Sequence, residues 1–181
     1  VLVDAFAELN KNHPRTMLLI AGFGPLRDRL RRQADAHGLG ERVRLLGAIE
    51  DTPGLLAASD VYACPSLSEG MSNALLEALA TGLPCVATDV GDHRRMLTGE
   101  LPDVDLPPPG DVSALARALD RVLTDDATRV AWSTAGRRLV QRDFALDEAF
   151  ARYARFYQSL APVRELARAV SRASGQAEVN P

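Results

Sequence analysis

The chain has 181 residues and a formal net charge of -3 at pH 7, with 46% hydrophobic and 25% charged residues. These fractions are typical of a globular protein, and the slightly acidic balance gives no electrostatic basis for binding nucleic acid. No run approaches the roughly 20 apolar residues of a membrane-spanning helix, and the first residues lack the basic flank of a signal peptide. We therefore expect a cytoplasmic protein with one folded domain at 1–161 and a tail at 162–181, partly helical and then disordered.

Short apolar runs alternate with helical patterns along the chain. Four of these runs predict strands buried on both faces, as in a parallel sheet: 16–22, 42–47, 60–65 and 84–88. A final strand is predicted within 104–110, followed by Asp111 as the N-cap of the next helix. The alternation predicts an α/β domain with a three-layer, Rossmann-like, doubly wound parallel sheet that binds ligands at the carboxyl ends of its strands.

The segment SLSEGMSNALLEALATGLPC contains two carboxylates around a predicted helix start. Glu69 lies in a turn with Gly and Ser, and Glu77 follows eight residues later in an apolar helical run. If the helix begins at Ser72 or Asn73, its first N–H groups lack intrahelical partners and form an anion site with the helix dipole. Helical side chains lean toward the amino end, so Glu77 can reach back to that site while Glu69 approaches from the loop.

Two carboxylates repel a phosphate, but they accept hydrogen bonds from hydroxyl groups on either side of one. A nucleotide sugar has this arrangement of groups. The sequence therefore predicts Glu77 on the ribose diol and Glu69 on the donor sugar, with Gly70 allowing close approach of the backbone. The diphosphate is expected on three peptide N–H groups, those of Asn73, Ala74 and Leu75.

These residues also carry a resemblance to a known family. The E-G-x6-E pattern inside PSLSEGMSNALLEALATGLPCVATDVG resembles the EX7E segment of retaining GT-B glycosyltransferases of group 1, a GT4-like family. LLIAGFGPLRDRL resembles that family's strand, glycine turn and helix, and RVRLLGAIEDTPGLLAASDVYACPS its base-binding segment. LPPPGDVSALARAL resembles its late strand and the helix that an Asp begins. The resemblance covers roughly residues 1–160, the donor-binding, C-terminal half of such an enzyme.

The resemblance implies metal-independent transfer of a sugar from a nucleoside diphosphate, with no cofactor besides that donor substrate. It implies that Glu69 touches the donor sugar as the catalytic carboxylate and that Glu77 touches the ribose. The amides of Met71 and Ser72 are then expected near the sugar.

The resemblance also implies that the backbone around Leu46, Gly47 and Ala48, at the end of the predicted second strand, lines the base. Gly22 and Gly24 stay open between a simple tight turn and a part of the donor site. The turn lacks the GxGxxG pattern of dinucleotide sites, which argues against NAD.

Two departures from the family pattern qualify this interpretation. The basic pair that meets the donor phosphates lies upstream of the first helix in the family, and this chain starts after it. The usual GGxxE segment reads GDHRR, with Arg94 and Arg95, and whether either arginine reaches a phosphate stays open. We expect a fragment that binds donor without transfer and lacks an N-terminal acceptor-binding domain, any peripheral membrane contact belonging to the full-length enzyme.

Other residue types favour structural roles. Cys64 and Cys85 sit in apolar runs and are expected as buried thiols rather than a disulfide. The DVD string at 103–105 matches a metal-binding D-x-D pattern but lies where the family has a strand, so no metal is expected. Three histidines lack metal-ligand spacing and are expected in turns or at the surface: His13, His37 and His93.

The last helix carries apolar residues at helical spacing, Phe150, Tyr153, Tyr157 and Leu160, which favour packing or self-association. Two other functions remain open from the sequence. One is a non-catalytic nucleotide-sugar-binding or assembly module that keeps the fold. The other is half of a UDP-sugar epimerase, which needs an acid and a base in its cleft.

Overall fold

The computed structural model describes residues 1–98, 101–104 and 106–160, and within them the chain has the predicted α/β order. The strands are β1 (Leu18–Ala21), β2 (Val43–Gly47), β3 (Tyr62–Cys64) and β4 (Cys85–Ala87). The helices are α1 (Leu2–Asn10), α2 (Arg27–Ala36), α3 (Thr52–Ala57), α4 (Asn73–Thr81), α5 (His93–Leu97), α6 (Val112–Thr124), α7 (Asp126–Asp143) and α8 (Leu146–Ser159). Each strand lies inside one of the four predicted apolar runs, and the predicted tail lies outside the described residues.

The strands pair in parallel, as the unbroken apolar runs predict. β1 pairs with β2, Leu18 lying opposite Val43, and β3 pairs with β4, Tyr62 lying opposite Cys85. Each pair is connected through helices, since α2 joins β1 to β2 and α4 joins β3 to β4. This is the connection that parallel strands require, and it confirms the α/β class.

Two details of the predicted sheet differ. The described strands form two separate two-stranded sheets instead of one continuous sheet, because no ladder joins β1 or β2 to β3 or β4. Nor do the described residues of 104–110 form the predicted last strand. The prolines at 107–109 have no N–H to donate to a strand ladder. The Pro107 carbonyl oxygen accepts a hydrogen bond from the Asp89 N–H at 2.9 Å.

The core lies between the helices and the strands. On α1, Val3, Phe6 and Leu9 are buried at helical spacing, and this helix packs against α6 and α2. α4 packs against β3, β4 and α3, and its Leu75 and Leu79 are completely buried. The buried face of α4 fixes its axis against the sheet, so the amino end of this helix has a defined place.

The carboxyl end of α4 is closed by Gly82 and by α7. Gly82 has a φ of 79°, the left-handed conformation that ends helices, and the Arg137 guanidinium donates to the carbonyls of Ala80 and Thr81. A Cβ on Gly136 would lie 2.7 Å from Leu79, so α7 approaches α4 closely at this glycine. Both contacts hold the helix that carries Glu77.

The chain divides into two compact units, the first ending at Val140 and the second beginning at Gln141. The predicted domain boundary at 161 lies outside the described residues and stays a prediction. In the second unit α8 has no buried residue, and its large apolar side chains are exposed: Leu146, Phe150, Tyr153, Phe156 and Tyr157. Across the described ranges, every helix is too short or too polar to span a bilayer.

Candidate functional site

The amino end of α4 forms as the sequence predicts. Ser72 is the N-cap with an extended backbone, and its Oγ accepts a hydrogen bond from the Leu75 N–H at 3.4 Å. This cap uses one of the three amides predicted to hold the diphosphate. The amides of Asn73 and Ala74 belong to the first helical turn, where N–H groups have no partner within the helix. They remain the two available donors, and Leu75 is shared with the cap.

The two glutamates differ in their surroundings. Glu69 is half-buried in the loop before α4, and its Oε1 accepts a hydrogen bond from the Ser66 hydroxyl at 2.8 Å. Glu77 is exposed on α4 and has no hydrogen bond or ion pair to another described residue. Glu69 is therefore oriented by the protein, whereas Glu77 is available to a ligand without giving up a partner.

The loop from Ser66 to Ser72, here called the Glu69 loop, rests on the turn before α5. Gly91 has a φ of 51°, and a Cβ there would lie 2.2 Å from the Glu69 carbonyl oxygen and 2.6 Å from that of Gly70. The Asp92 N–H donates to the Gly70 carbonyl oxygen at 3.1 Å. No side chain larger than hydrogen fits at Gly91, so the two backbone segments lie in direct contact.

Below the loop, Thr88 joins the carboxyl ends of two strands, β3 and β4, to Ser66 through its buried side chain and backbone. Its N–H donates to the Cys64 carbonyl oxygen at 3.1 Å and its hydroxyl to the Ser66 carbonyl oxygen at 2.7 Å. Thr88 is fully buried at 0% exposure, where such hydrogen bonds gain strength from the low dielectric. The carboxyl ends of β3 and β4 are thereby fixed to the first residue of the Glu69 loop.

His93 is also fully buried, which corrects the prediction of a turn or surface residue. Its Nδ1 lies 2.9 Å from the Thr88 carbonyl oxygen and its Nε2 lies 3.9 Å from Cys64 Sγ. A carbonyl only accepts, so Nδ1 carries the proton of this hydrogen bond, while Nε2 faces the thiol. The signal for burial was the spacing of Met96 and Leu97, three and four residues later on the same helix face.

The cysteines are free and buried, as predicted. Burial raises the pKa of the Cys85 thiol, and burial with the nearby Cys64 raises the pKa of the Tyr62 phenol. Cys64 Sγ lies 3.9 Å from the Ser72 hydroxyl and 3.6 Å from that of Ser66. Both thiols thus act as packing groups, and Cys64 also contacts both ends of the Glu69 loop.

A second group of predicted residues lies at the carboxyl ends of β1 and β2 and in the turns that follow them. The Gly22 N–H donates to the Gly47 carbonyl oxygen at 2.7 Å, and the two glycines have φ angles of 119° and 73°. Gly24 and Ala48 are exposed, and Leu46 is 38% exposed. The structure brings the predicted turn and the predicted base-binding segment together at the carboxyl ends of adjacent parallel strands, which is where such sheets bind ligands.

Each of the two groups of predicted residues also contains a large exposed apolar side chain, Phe23 in one and Met71 in the other. Phe23 is 91% exposed in the turn after β1, and Met71 is 52% exposed in the Glu69 loop. The sequence predicted a role for the Met71 amide and none for Phe23.

Arg94, the open candidate for a phosphate contact, bonds to a carboxylate. Its Nε donates to Asp89 Oδ1 at 2.9 Å and its Nη2 to Asp89 Oδ2, and this pairing lowers the pKa of Asp89. A phosphate at Arg94 would have to compete with Asp89. Arg95 is exposed on the same short helix.

Over residues 1–98, 101–104 and 106–160, no three His, Cys, Asp or Glu side chains come together as a metal site. Asp105 of the DVD string lies outside the described residues.

Comparison with known proteins gives a consistent family. Residues 1–139 match the family described as glycosyl transferases group 1. The phosphatidyl-myo-inositol mannosyltransferase of Mycobacterium leprae is 36% identical over 146 residues, which cover 78% of this chain and 38% of that protein. A UDP-Gal:alpha-D-GlcNAc-diphosphoundecaprenol alpha-1,3-galactosyltransferase of Escherichia coli is 40% identical over 115 residues, covering 62% of this chain and 29% of that protein. The chain thus spans less than two fifths of either relative.

Solved structures agree on the fold. Anabaena HepE in complex with UDP superposes with a TM-score of 0.80 at 25% identity, over 88% of this chain and 44% of that chain. The C-terminal domain of a group 1 glycosyl transferase, LpcC from Francisella tularensis, superposes with a TM-score of 0.70 at 23% identity, over 80% of this chain and 78% of that chain.

Proposed function

Because the chain belongs to group 1 of the glycosyl transferases, we propose that it is the donor-binding part of a retaining sugar transferase. The longer enzyme would move a sugar from a nucleoside diphosphate to an acceptor hydroxyl held by an N-terminal domain outside these residues. Its place of action is proposed as the cytoplasm, with peripheral membrane contact left to the longer protein.

One observation carries the proposal: along the chain, the capped amino end of α4 is flanked by a half-buried carboxylate, Glu69, and an exposed one, Glu77. The N–H groups of the first turn attract an anion, and Glu69 and Glu77 accept hydrogen bonds from neutral hydroxyls. A diphosphate with a sugar at each end supplies both kinds of group. Names of relatives support the same substrate class, since one transfers mannose and another uses UDP-Gal.

Each residue then has a role in the proposal. The ribose diol binds Glu77, and the diphosphate binds the amides of Asn73 and Ala74, with Leu75 shared. The donor sugar lies against Glu69, beside Gly70 and the amides of Met71 and Ser72. The base lies on the backbone of the second group: Gly22, Gly24, Leu46, Gly47 and Ala48. HepE, a structural relative at 25% identity, was solved with UDP, which supports a nucleotide in this fold.

Charge stabilisation would drive the transfer. As the bond between sugar and phosphate breaks, negative charge grows on the departing diphosphate, and the oriented N–H groups at α4 stabilise it without reorganisation. Basic side chains from the longer protein would add to this stabilisation, so the proposal includes no metal ion. The acceptor would bind to the N-terminal domain of the longer enzyme, so we expect these 181 residues alone to bind donor without transferring sugar.

Titration calorimetry tests donor binding directly. The 181-residue chain is titrated with UDP, GDP and ADP and with UDP-glucose, GDP-mannose and ADP-glucose. Heat from at least one pair is expected, and Glu77→Gln should weaken it about tenfold or more because a charged acceptor of the ribose diol is lost. Glu41→Gln is the matched control, since Glu41 is an exposed glutamate before the amino end of β2.

Absence of heat with every nucleotide would contradict donor binding and favour the non-catalytic assembly module. Robust sugar transfer by the fragment alone would contradict its predicted inactivity. Product analysis on the longer enzyme then distinguishes retention, inversion and epimerisation.

A further inference from the structure

His93 is fully buried, yet two short series of contacts, called routes here, connect it to the Glu69 loop. We propose that His93 is a positioning residue that holds the Glu69 carboxylate in place for the donor sugar, an inference that rests on the proposed function. The juxtaposition of His93, Thr88 and Ser66 beneath one carboxylate carries it.

The first route consists of hydrogen bonds that side chains donate. The His93 Nδ1–H donates to the Thr88 carbonyl oxygen at 2.9 Å, and the Thr88 hydroxyl donates to the Ser66 carbonyl oxygen at 2.7 Å. The Ser66 hydroxyl then donates to Glu69 Oε1 at 2.8 Å. Three hydrogen bonds thus connect the imidazole to the carboxylate.

The second route runs through the backbone. His93 begins α5, and its N–H donates to the Val90 carbonyl oxygen at 3.0 Å, which closes the turn containing Gly91 and Asp92. Gly91 touches the Glu69 carbonyl, and the Asp92 N–H donates to the Gly70 carbonyl oxygen at 3.1 Å. A buried anchor at His93 therefore fixes the surface on which the Glu69 loop lies.

The thiol of Cys64 completes the arrangement on the other ring nitrogen. Nε2 lies 3.9 Å from Cys64 Sγ, which lies 3.9 Å from the hydroxyl of Ser72, the N-cap of α4. Both are long contacts of a thiol, and in each of them either partner can be the donor. These contacts are longer than the three hydrogen bonds that lead to Glu69, so the effect of His93 is expected mainly on the Glu69 loop and little on the start of α4.

The consequence is specific to the sugar half of a ligand. A free nucleoside diphosphate reaches the α4 amides and Glu77 without needing Glu69, whereas a nucleotide sugar also needs the Glu69 carboxylate. Loss of His93 should therefore lower the preference for the nucleotide sugar over its nucleotide, while affinity for the nucleotide changes little.

Calorimetry measures this preference as the ratio of the Kd of the nucleotide to the Kd of the nucleotide sugar. The probe is whichever wild-type pair binds: UDP and UDP-glucose, GDP and GDP-mannose, or ADP and ADP-glucose. In His93→Phe, which keeps an aromatic ring of somewhat larger size and removes both nitrogens, the ratio should fall about tenfold, the size of a lost charged hydrogen bond. Nucleotide affinity should stay within about twofold on the same reasoning.

A conservative variant and a control accompany it. His93→Asn keeps an N–H near the position of Nδ1 and should recover part of the ratio, and it serves if His93→Phe does not fold. Thr128→Val removes another buried hydroxyl, one on α7 that donates to Asp125 just before that helix, and should lower thermal stability while keeping the wild-type ratio.

A double-mutant cycle shows whether His93 acts through Glu69. In a Glu69→Gln background, adding His93→Phe should leave the ratio unchanged. An undiminished ratio in His93→Phe alone, or equal losses for nucleotide and nucleotide sugar, would overturn the inference while donor binding stands. A wild-type chain that binds no nucleotide would overturn the proposed function and this inference together.

Discussion

The two halves of the candidate site are held in different ways. After β1 and β2, Gly22 and Gly47 join backbone to backbone by a 2.7 Å hydrogen bond, and the side chains around them are exposed. Around α4, the Glu69 loop lies on fully buried side chains, Thr88 and His93, that hydrogen-bond to its supports. The first half depends on what conformation glycine can adopt, and the second on which polar groups are buried beneath it.

This difference teaches where substitutions reach the ligand. In the turn after β1, a change of side chain leaves the peptide groups in place unless it strains the backbone. Under the Glu69 loop, a change in a residue far from any ligand alters the position of a carboxylate. Four variants or measurements break or sharpen the contrast.

The largest effect is expected at the contact between the Glu69 loop and the turn before α5. Gly91→Ala places a Cβ 2.2 Å from the Glu69 carbonyl oxygen in a backbone with a φ of 51°. We expect a loss of about 3 kcal/mol in the free energy of unfolding, measured by urea denaturation, from steric overlap and strain. Gly70→Ala is the control, because a Cβ there meets nothing within 4 Å. Equal losses in the two variants would contradict the close contact.

A smaller effect is expected where glycines are needed only for their dihedral angles. Gly22→Ala adopts a φ of 119° with no atom within 4 Å of the new Cβ, so strain alone acts. The expected loss is about 1–3 kcal/mol by urea denaturation. Gly24→Ala, in the same turn without a positive φ, should stay within about 0.5 kcal/mol of wild type. A Gly22 variant as stable as the Gly24 variant would show that the turn does not require glycine.

Helix caps separate stability from binding at a still smaller cost. Ser72→Ala and Asp111→Ala each remove a side-chain acceptor at a helix start, from Leu75 and from Ala114. Each should lower the unfolding free energy by about 1 kcal/mol. Calorimetry with the nucleotide that binds should show weaker binding only in the Ser72 variant, because α6 has no part in the site. Weaker binding in both would point to general loss of structure.

The smallest effect concerns the native chain itself. Cys64 and Cys85 are 5% and 0% exposed, and burial raises the pKa of the Cys85 thiol, which lowers its thiolate fraction at neutral pH. Both should react with a thiol reagent slowly at pH 7 in native buffer and at once in denaturant. Raising the pH to 9 should speed the native reaction of Cys85 far less than that of a free thiol. Rapid native labelling would contradict the buried cluster.

Sequence patterns predicted the elements well where one signal dominated. Unbroken apolar runs placed β1 to β4, and the Ser–Asn pair with Asp111 placed the starts of α4 and α6. The prediction of a late strand within 104–110 was wrong for the described residues, because the prolines at 107–109 have no N–H to donate to a ladder. The apolar runs also could not show whether the strands form one sheet or two, because pairing between strands far apart in sequence leaves no local pattern.

The site itself was predicted through its ends and not through its supports. Glu69, Glu77 and the glycines carry recognisable spacing, so the sequence could assign them. His93 was predicted in a turn or at the surface, and the signal for its burial was the apolar pair Met96 and Leu97 three and four residues later. Its hydrogen-bond partner Thr88 is set by the fold and not by spacing. Likewise, the sharing of the Leu75 amide with Ser72 depends on a side-chain rotamer that no spacing reveals.

The split between the two strand pairs bears on the handling of the purified chain. β1 reads LLIA and β3 reads YAC, with no charged residue in either, whereas β2 carries the exposed Arg44 that discourages pairing. Within the described residues each strand pair hydrogen-bonds in ladders only with itself, and β1, whose side chains alternate between half-buried and exposed, has no charge along its length. An uncharged strand edge can pair with another copy of the chain, so we expect light scattering to rise steeply with protein concentration. Affinity measurements should therefore start from dilute samples.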